Sequence, residues 1–275
     1  MPKVIATDLD GTLFFPKRRL RMISDRSIKF IRRFIDAGNR FILVSGRNIE
    51  YCRKVQKRIK RPVDIIGCNG AYIYIDDELV KESYFDNERI DEIVRDIQDK
   101  YQPATTSIMT ANKNFFPKRE NSFINLTFFR LYSFFEFVYK EKFNKSLRRY
   151  REAFRSGKIY KVLFVLGITT KAKIQAKELN KILREQYKDE LESSWSNQGI
   201  ELSPKGCSKA EGLKYYSDYL MINPSDIYVV GDSGNDISMF KAFHNNSFCM
   251  ARSPLSVSKH AKHVIRHFWE LEKYI

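Results

Sequence analysis

The chain has 275 residues, with 49 lysines and arginines against 33 aspartates and glutamates and a formal net charge of +16. Hydrophobic residues make up 43% and aromatics 14%, enough apolar side chain for a packed core, which excludes disorder as the main state. The longest apolar stretch, residues 159–168, is broken by Lys161 and falls far short of the ~20 residues that span a bilayer.

Val4-Ile5-Ala6-Thr7 reads as a short buried strand running into Asp8-Leu9-Asp10-Gly11-Thr12. A helix is predicted from Ser24, an N-cap residue, with Ile28, Ile31, Phe34 and Ile35 on one face and Gly38 closing it. Residues 40–44 form a second buried strand leading to Ser45-Gly46-Arg47 and another helix. Residues 63–66 form a third, followed by a turn at Gly67-Cys68-Asn69-Gly70. Strand and helix alternating in ~30-residue steps predict a parallel sheet with crossover helices.

From about Tyr84 the texture changes. Ile90, Ile93, Val94 and Ile97 mark an amphipathic helix, strands are predicted near 123–129 and 160–166, and a helix over 171–186. Residues 191–202 read as two short strands split by Asn197-Gln198-Gly199. Parallel-sheet character then returns: a helix over 209–220, a strand over 226–230, the polar turn Gly231-Asp232-Ser233-Gly234-Asn235-Asp236, a further helix, and short strands at 247–251 and 263–265. The expected fold is a Rossmann-like, doubly wound α/β core, 1–82 plus 194–275, holding an inserted α+β domain, 83–193.

Open parallel sheets place ligand sites beyond the C-terminal ends of their strands. Asp8 and Asp10 stand there, beside a glycine that lets the backbone come close, which suits a nucleophile with an acid/base partner. Asp232, Asn235 and Asp236 follow another strand, an oxygen-rich set suited to a hard cation such as Mg2+. Two acidic loops on neighbouring strands repel unless a cation lies between them. Ser45 at a third strand end offers a hydroxyl and helix-start amides for phosphate. Lys209 sits at a helix start, where the dipole disfavours cations, which argues for a bound anion. Each feature alone is compatible with an ordinary turn or cap; their combination is what points to chemistry.

Asp8-x-Asp10-Gly11-Thr12, the Ser45 strand end, the late lysine and Gly231-Asp232-x-x-Asn235-Asp236 resemble, in order, the four motifs of the haloacid-dehalogenase-superfamily phosphatases. The Cys68-Asn69-Gly70-Ala71 turn and an insert after the second motif are similar to the Cof-type subgroup. The resemblance covers the core; the insert matches only in position and size. It implies a phosphomonoesterase acting through an aspartyl-phosphate on small phosphorylated metabolites, sugar phosphates foremost. In that scheme Asp8 is the nucleophile and Asp10 the general acid and base. Mg2+ is held by Asp8, the Asp10 carbonyl and Asp232. Gly11, Thr12, Ser45, Gly46, Lys209 and Asn235 lie toward phosphate or substrate, with Asp236 behind the metal. Lys205 and Lys209 both lie where the motif lysine belongs, and the Ser208-Lys209 context fits better. The insert is expected to act as a substrate-selecting cap.

A phosphotransferase or mutase on the same scaffold is an alternative, since an aspartyl-phosphate can pass to a hydroxyl other than water. Another is a basic nucleic-acid-binding protein with a vestigial site. Residues 47–61 carry seven basic residues and one acidic, residues 140–161 nine and two, the latter beside Tyr150, Phe154 and Tyr160. The net charge is +8 in 1–82, +7 in 83–193 and +1 in 194–275, a surface suited to drawing anionic metabolites toward an acidic site. The expected partner is thus a small phosphorylated molecule rather than a nucleic acid or a membrane. Four scattered cysteines without a CxxC pattern, and an opening MPKVIATDLD without a signal-peptide core, predict reduced thiols and a cytoplasmic location. His263 and His267, at i and i+4, are expected to be solvated rather than metal-binding.

Overall fold

The computed structural model of the protein describes residues 2–15, 23–110, 114–115, 143–144, 146–167, 169–196 and 199–275. The first elements are β1 (Val4–Thr7), α1 (Asp25–Asp36), β2 (Arg40–Val44), α2 (Ile49–Ile59), β3 (Asp64–Gly67), β4 (Tyr72–Ile75) and β5 (Glu78–Glu82). The Ser24 hydroxyl accepts the Ser27 amide at 3.1 Å, and α1 buries Ile28, Phe30, Ile31 and Phe34. Gly38 follows it at φ +84°, the left-handed stop that glycine takes without cost. The hairpin β4–β5 has no glycine in its turn. Asp76 and Asp77 take positive φ instead, as a two-residue hairpin turn requires, and a pair of aspartates is a weaker sequence signal than Asn-Gly.

Next come α3 (Asn87–Tyr101), β6 (Thr105–Thr110), β7 (Asn114–Phe115), β8 (Phe143–Asn144), α4 (Leu147–Ser156), β9 (Ile159–Val165), α5 (Thr170–Gln186), β10 (Leu191–Ser196) and β11 (Gly199–Pro204). They make a six-stranded sheet in the order β10-β11-β9-β6-β7-β8. Helix residues Ile90, Ile93, Ile97, Phe154 and Leu183 share its core with Ile108, Val162, Phe164 and Leu202. The strand expected at 123–129 lies outside the described residues.

The chain returns through α6 (Lys209–Tyr219), β12 (Ile227–Gly231), α7 (Ile237–Ala242), β13 (Ser247–Met250), α8 (Leu255–Ser258) and β14 (His263–Ile265). An eight-stranded sheet runs β14-β13-β12-β1-β2-β3-β4-β5, parallel from β14 to β3 and antiparallel across β4 and β5. Its central strands β1, β2 and β12 are buried almost throughout, which is why they read as unbroken apolar runs. This is the doubly wound α/β core anticipated above.

Two compact units result, 1–82 with 206–275, and 83–205. The second boundary therefore falls at 205/206 and not at 193/194. Residues 194–205 contain β11, which pairs antiparallel with both β9 and β10, so its hydrogen bonds tie it to the insert's sheet. Among the described residues, no helix is long and apolar enough to cross a membrane.

Candidate active site

The chain leaves the sheet in opposite directions on either side of β1 and β12, and that divergence opens a crevice at their C-terminal ends. Thr7 is level with Leu43 on β2 and with Val230 on β12. The residues just beyond, Asp8, Ser45 and Asp232, are therefore delivered to one place by register alone. Asp8 is fixed there by its amide, which donates to the Val230 carbonyl at 2.9 Å. Gly11 then turns at φ +87°, and a Cβ on it would overlap both Asp232 Oδ2 and the Arg252 guanidinium. Glycine is required twice over, for the dihedral and for the space.

Lys209, the first residue of α6, is completely buried and donates to Asp8 Oδ1 and Asp236 Oδ1, each at 2.6 Å. The helix dipole disfavours a cation here, and two carboxylates offset that cost. Burial alone would push the ammonium down; Asp236 and Asp8 outweigh it and hold Lys209 above the ordinary lysine value. Asp236 is saturated, because its Oδ2 accepts the amides of Asp232 and Ser233 at 2.9 Å each. Lys205, the alternative motif lysine, stands in the other unit, paired with Glu192 at 3.3 Å and donating to the Lys188 carbonyl.

Carboxylate oxygens of Asp8, Asp232 and Asp236 lie within 4.8 Å of one another. Burial, reinforced by Asp236, pushes the Asp232 carboxyl up to about 7, against the pull of Arg252 and the Thr12 hydroxyl. Burial raises Asp8 too, partly countered by Lys209 and increased by Asp236, Asp232 and Asp10. Two buried carboxylates and a partly exposed third, all hard oxygen donors, fit a divalent cation. With Asp236 committed to Lys209 and the backbone, Asp8 and Asp232 are the side chains able to hold it.

Ser45 is buried, its amide bound to the Ile66 carbonyl at 2.9 Å and its Oγ accepting the Arg47 amide at 3.2 Å, with Gly46 between them. The Thr12 hydroxyl, expected to face phosphate, donates instead to Asp232 Oδ1 at 3.0 Å. Asn235 accepts from the Ser233 hydroxyl at 2.7 Å in the turn leading to α7. The Asp10 carboxylate takes Arg47 Nε at 2.7 Å and Nη2 at 3.0 Å. Two arginines carry little signal in the sequence: Arg47 stands in a basic run, marked only by its place beside a strand end, and Arg252, two residues past β13, approaches Asp232 at 3.5 Å.

The other expectations have definite places. Cys52, Cys68, Cys207 and Cys249 are buried free thiols. Tyr150, Phe154 and Tyr160 are buried, so the rings offered for base stacking belong to a core. The ring of His263 lies against Phe248 and that of His267 against Trp269, and neither belongs to the acidic cluster found among the described residues.

A family model described as haloacid dehalogenase-like hydrolase matches residues 5–269. The chain belongs to this family. Among relatives, a 5-amino-6-(5-phospho-D-ribitylamino)uracil phosphatase of Bacillus subtilis is 24% identical over 87% of this chain and 80% of its own length. Two Buchnera aphidicola proteins are 34% and 31% identical, and the chain spans about a third of their length (31% and 34%). Among solved structures, a haloacid dehalogenase-like hydrolase from Bacillus subtilis superposes with a TM-score of 0.79 at 20% identity, covering 99% of both chains. A subclass IIB sugar phosphatase does so with 0.73 at 19%, covering 99% of this chain and 98% of its own. This chain is thus a haloacid dehalogenase-like hydrolase of the Cof type, with the fold of those structures.

Proposed function

We propose that this hydrolase is a Mg2+-dependent phosphatase of small phosphorylated metabolites, sugar phosphates foremost, working through an aspartyl-phosphate. The observation that carries the reading is the buried Asp8 at the end of β1, bound to Lys209 at 2.6 Å and adjoining Asp232. The phosphatase and sugar-phosphatase names borne by similar proteins support the substrate class.

In the first step an Asp8 carboxylate oxygen attacks phosphorus, the bond to the leaving oxygen breaks, and Asp10 gives that oxygen its proton. In the second, Asp10 takes a proton from the water that attacks the aspartyl-phosphate, and Asp8 is regenerated. Lys209 opposes the burial that favours the protonated form of Asp8 and contributes positive charge where the phosphoryl oxygens gather it. The Asp8 and Asp232 carboxylates with the Asp10 carbonyl would hold the cation. When bound, Mg2+ supplies charge that offsets carboxylate–phosphate repulsion. Ser45 and Gly46 form the phosphate cradle, joined by Gly11 and Asn235. Asp236 positions Lys209 and closes the Asp232 loop. Selection among leaving groups falls to the inserted unit.

The test is a phosphate-release screen across sugar phosphates, nucleotides and cofactor phosphates with and without Mg2+. Release that persists undiminished under strong chelation would remove the metal role. Transfer to an added sugar in preference to water would make the enzyme a phosphotransferase.

A further inference from the structure

We propose that Arg47 is the positioning residue for Asp10, acting on the proton-transfer half of the reaction rather than on phosphate. The assignment rests on the phosphatase reading above. The contact is a two-pronged, charge-assisted pair, Nε to Oδ2 at 2.7 Å and Nη2 to Oδ1 at 3.0 Å, with Arg47 only 13% exposed and Asp10 32%. Such a fork fixes both the place and the plane of a carboxylate, which a single ammonium cannot do. Each carboxylate oxygen has two lone-pair sites, so the fork orients Asp10 without blocking the proton it must give and take back.

Arg47 is itself held from three sides. Its amide donates to Ser45 Oγ at 3.2 Å. Its carbonyl accepts the Cys68 amide and the Tyr72 hydroxyl, both at 3.1 Å. Its guanidinium lies 5.0 Å from the centre of the Tyr51 ring. Tyr72 reaches that carbonyl from the start of β4 only because residue 67 is glycine; a Cβ there would overlap the tyrosine ring. The antiparallel hairpin at the sheet edge thus has a role at the site: it fixes the residue that fixes the acid/base.

The mechanism supplies a readout that a structural or phosphate-binding residue would not produce. A p-nitrophenyl ester has a leaving group that departs without a proton, whereas an alkyl phosphate such as glycerol phosphate needs Asp10 to donate one. The parameter to compare is kcat/KM, because it reports only steps through aspartyl-phosphate formation and is insensitive to the shared hydrolysis that follows. For Arg47→Gln we expect kcat/KM on the alkyl phosphate to fall about 100-fold and on the aryl phosphate less than about threefold. Arg47→Lys should restore little, since it keeps the charge and loses the fork. Tyr72→Phe should show the same leaving-group selectivity at about two- to fivefold. In an Asp10→Asn background, Arg47→Gln should cost nothing further on the alkyl phosphate. Equal losses on both substrates, or further loss in the Asp10→Asn background, would assign Arg47 to phosphate or to folding and overturn the proposal. So would full activity of Arg47→Gln. A wild-type protein inert toward every phosphate ester would instead overturn the phosphatase reading itself, and this assignment with it. Should Arg47→Gln fail to fold, Arg47→Lys and Tyr72→Phe carry the same comparison.

Discussion

Each of the two units buries a lysine, and the two lysines mean different things. In the insert, Lys161 on β9 pairs with Glu201 on β11 at 3.0 Å, with both side chains under 10% exposed. There a positive and a negative charge meet across adjacent strands. In the core, Lys209 lies among Asp8, Asp232 and Asp236, with Arg252 reaching Asp232 only at 3.5 Å from the rim. Here the negative charge is in surplus. A balanced buried pair is a device of structure, helping to specify strand register at little net gain in stability. A buried surplus of one sign costs free energy unless something of the other sign arrives, which marks a place made for a ligand.

The largest effect expected from this contrast is chemical. Asp8→Asn should lower turnover by on the order of 10^4-fold or more while leaving the melting temperature unchanged or higher, because a nucleophile is lost and a repulsion relieved. Full activity in that variant would end the nucleophile assignment. Next are the lysines. Lys209→Met and Lys161→Met should each destabilise by roughly 3–5 kcal/mol, since each takes the paired cation from a buried carboxylate. The double variants should then diverge. Lys161→Met with Glu201→Leu should recover most of the lost stability and keep phosphate release, whereas Lys209→Met with Asp236→Leu should recover little, because Asp8 still lacks its ammonium and the Asp232 and Ser233 amides lose their acceptor, and should remain inactive. Thermal melts and a phosphate-release assay on the four proteins decide it; an active Lys209 double variant would erase the distinction between the two lysines.

A smaller effect concerns pH. The Asp232 carboxyl, pushed to about 7 from an ordinary 3.8, keeps its proton in the folded protein where the unfolded chain has released it. Its contribution to stability is complete below about 4 and is lost as pH rises through about 7. The metal-free protein should therefore melt at progressively lower temperature between about pH 4 and 7, with Asp8 adding in the same direction. Saturating Mg2+ should flatten or reverse that slope, because it favours the ionised carboxylates. Asp232→Asn should also flatten it in the absence of metal. An Asp232→Asn protein with an unchanged slope would place the surplus charge elsewhere.

How legible this was in the sequence follows the same division between units. The core strands are buried on both faces and announce themselves as apolar runs, and their loops carry polar residues at fixed distances from strand ends, so Asp8, Asp10, Ser45 and Asp232 could be located by counting, and Lys209 by its place at a helix start. The insert's strands pair with partners far apart in the chain. That β11 belonged with β9 depended on pairing between residues 199–202 and 162–165, which local pattern does not contain, and the boundary was misplaced by twelve residues as a result. Arg47 was missed for a related reason: its partner lies 37 residues away, and nothing in a run of basic residues shows which one turns inward.

The smallest expected effect separates two roles for one hydroxyl. Motif position assigns Thr12 to phosphate, yet it is buried and donates to Asp232 Oδ1 at 3.0 Å. A hydrogen bond to a charged group contributes roughly 1.5–3 kcal/mol, and this one favours the ionised carboxylate that a cation needs. Thr12→Val should therefore raise the Mg2+ concentration needed for half-maximal activity about three- to tenfold, leaving KM for substrate unchanged once metal is saturating. Thr12→Ser, which keeps the hydroxyl, should behave as the wild type. If KM rises at saturating Mg2+ while the metal requirement stays fixed, the hydroxyl serves the phosphate. Thr12 would then belong with Ser45 in the cradle and not with the acidic surplus around Asp232.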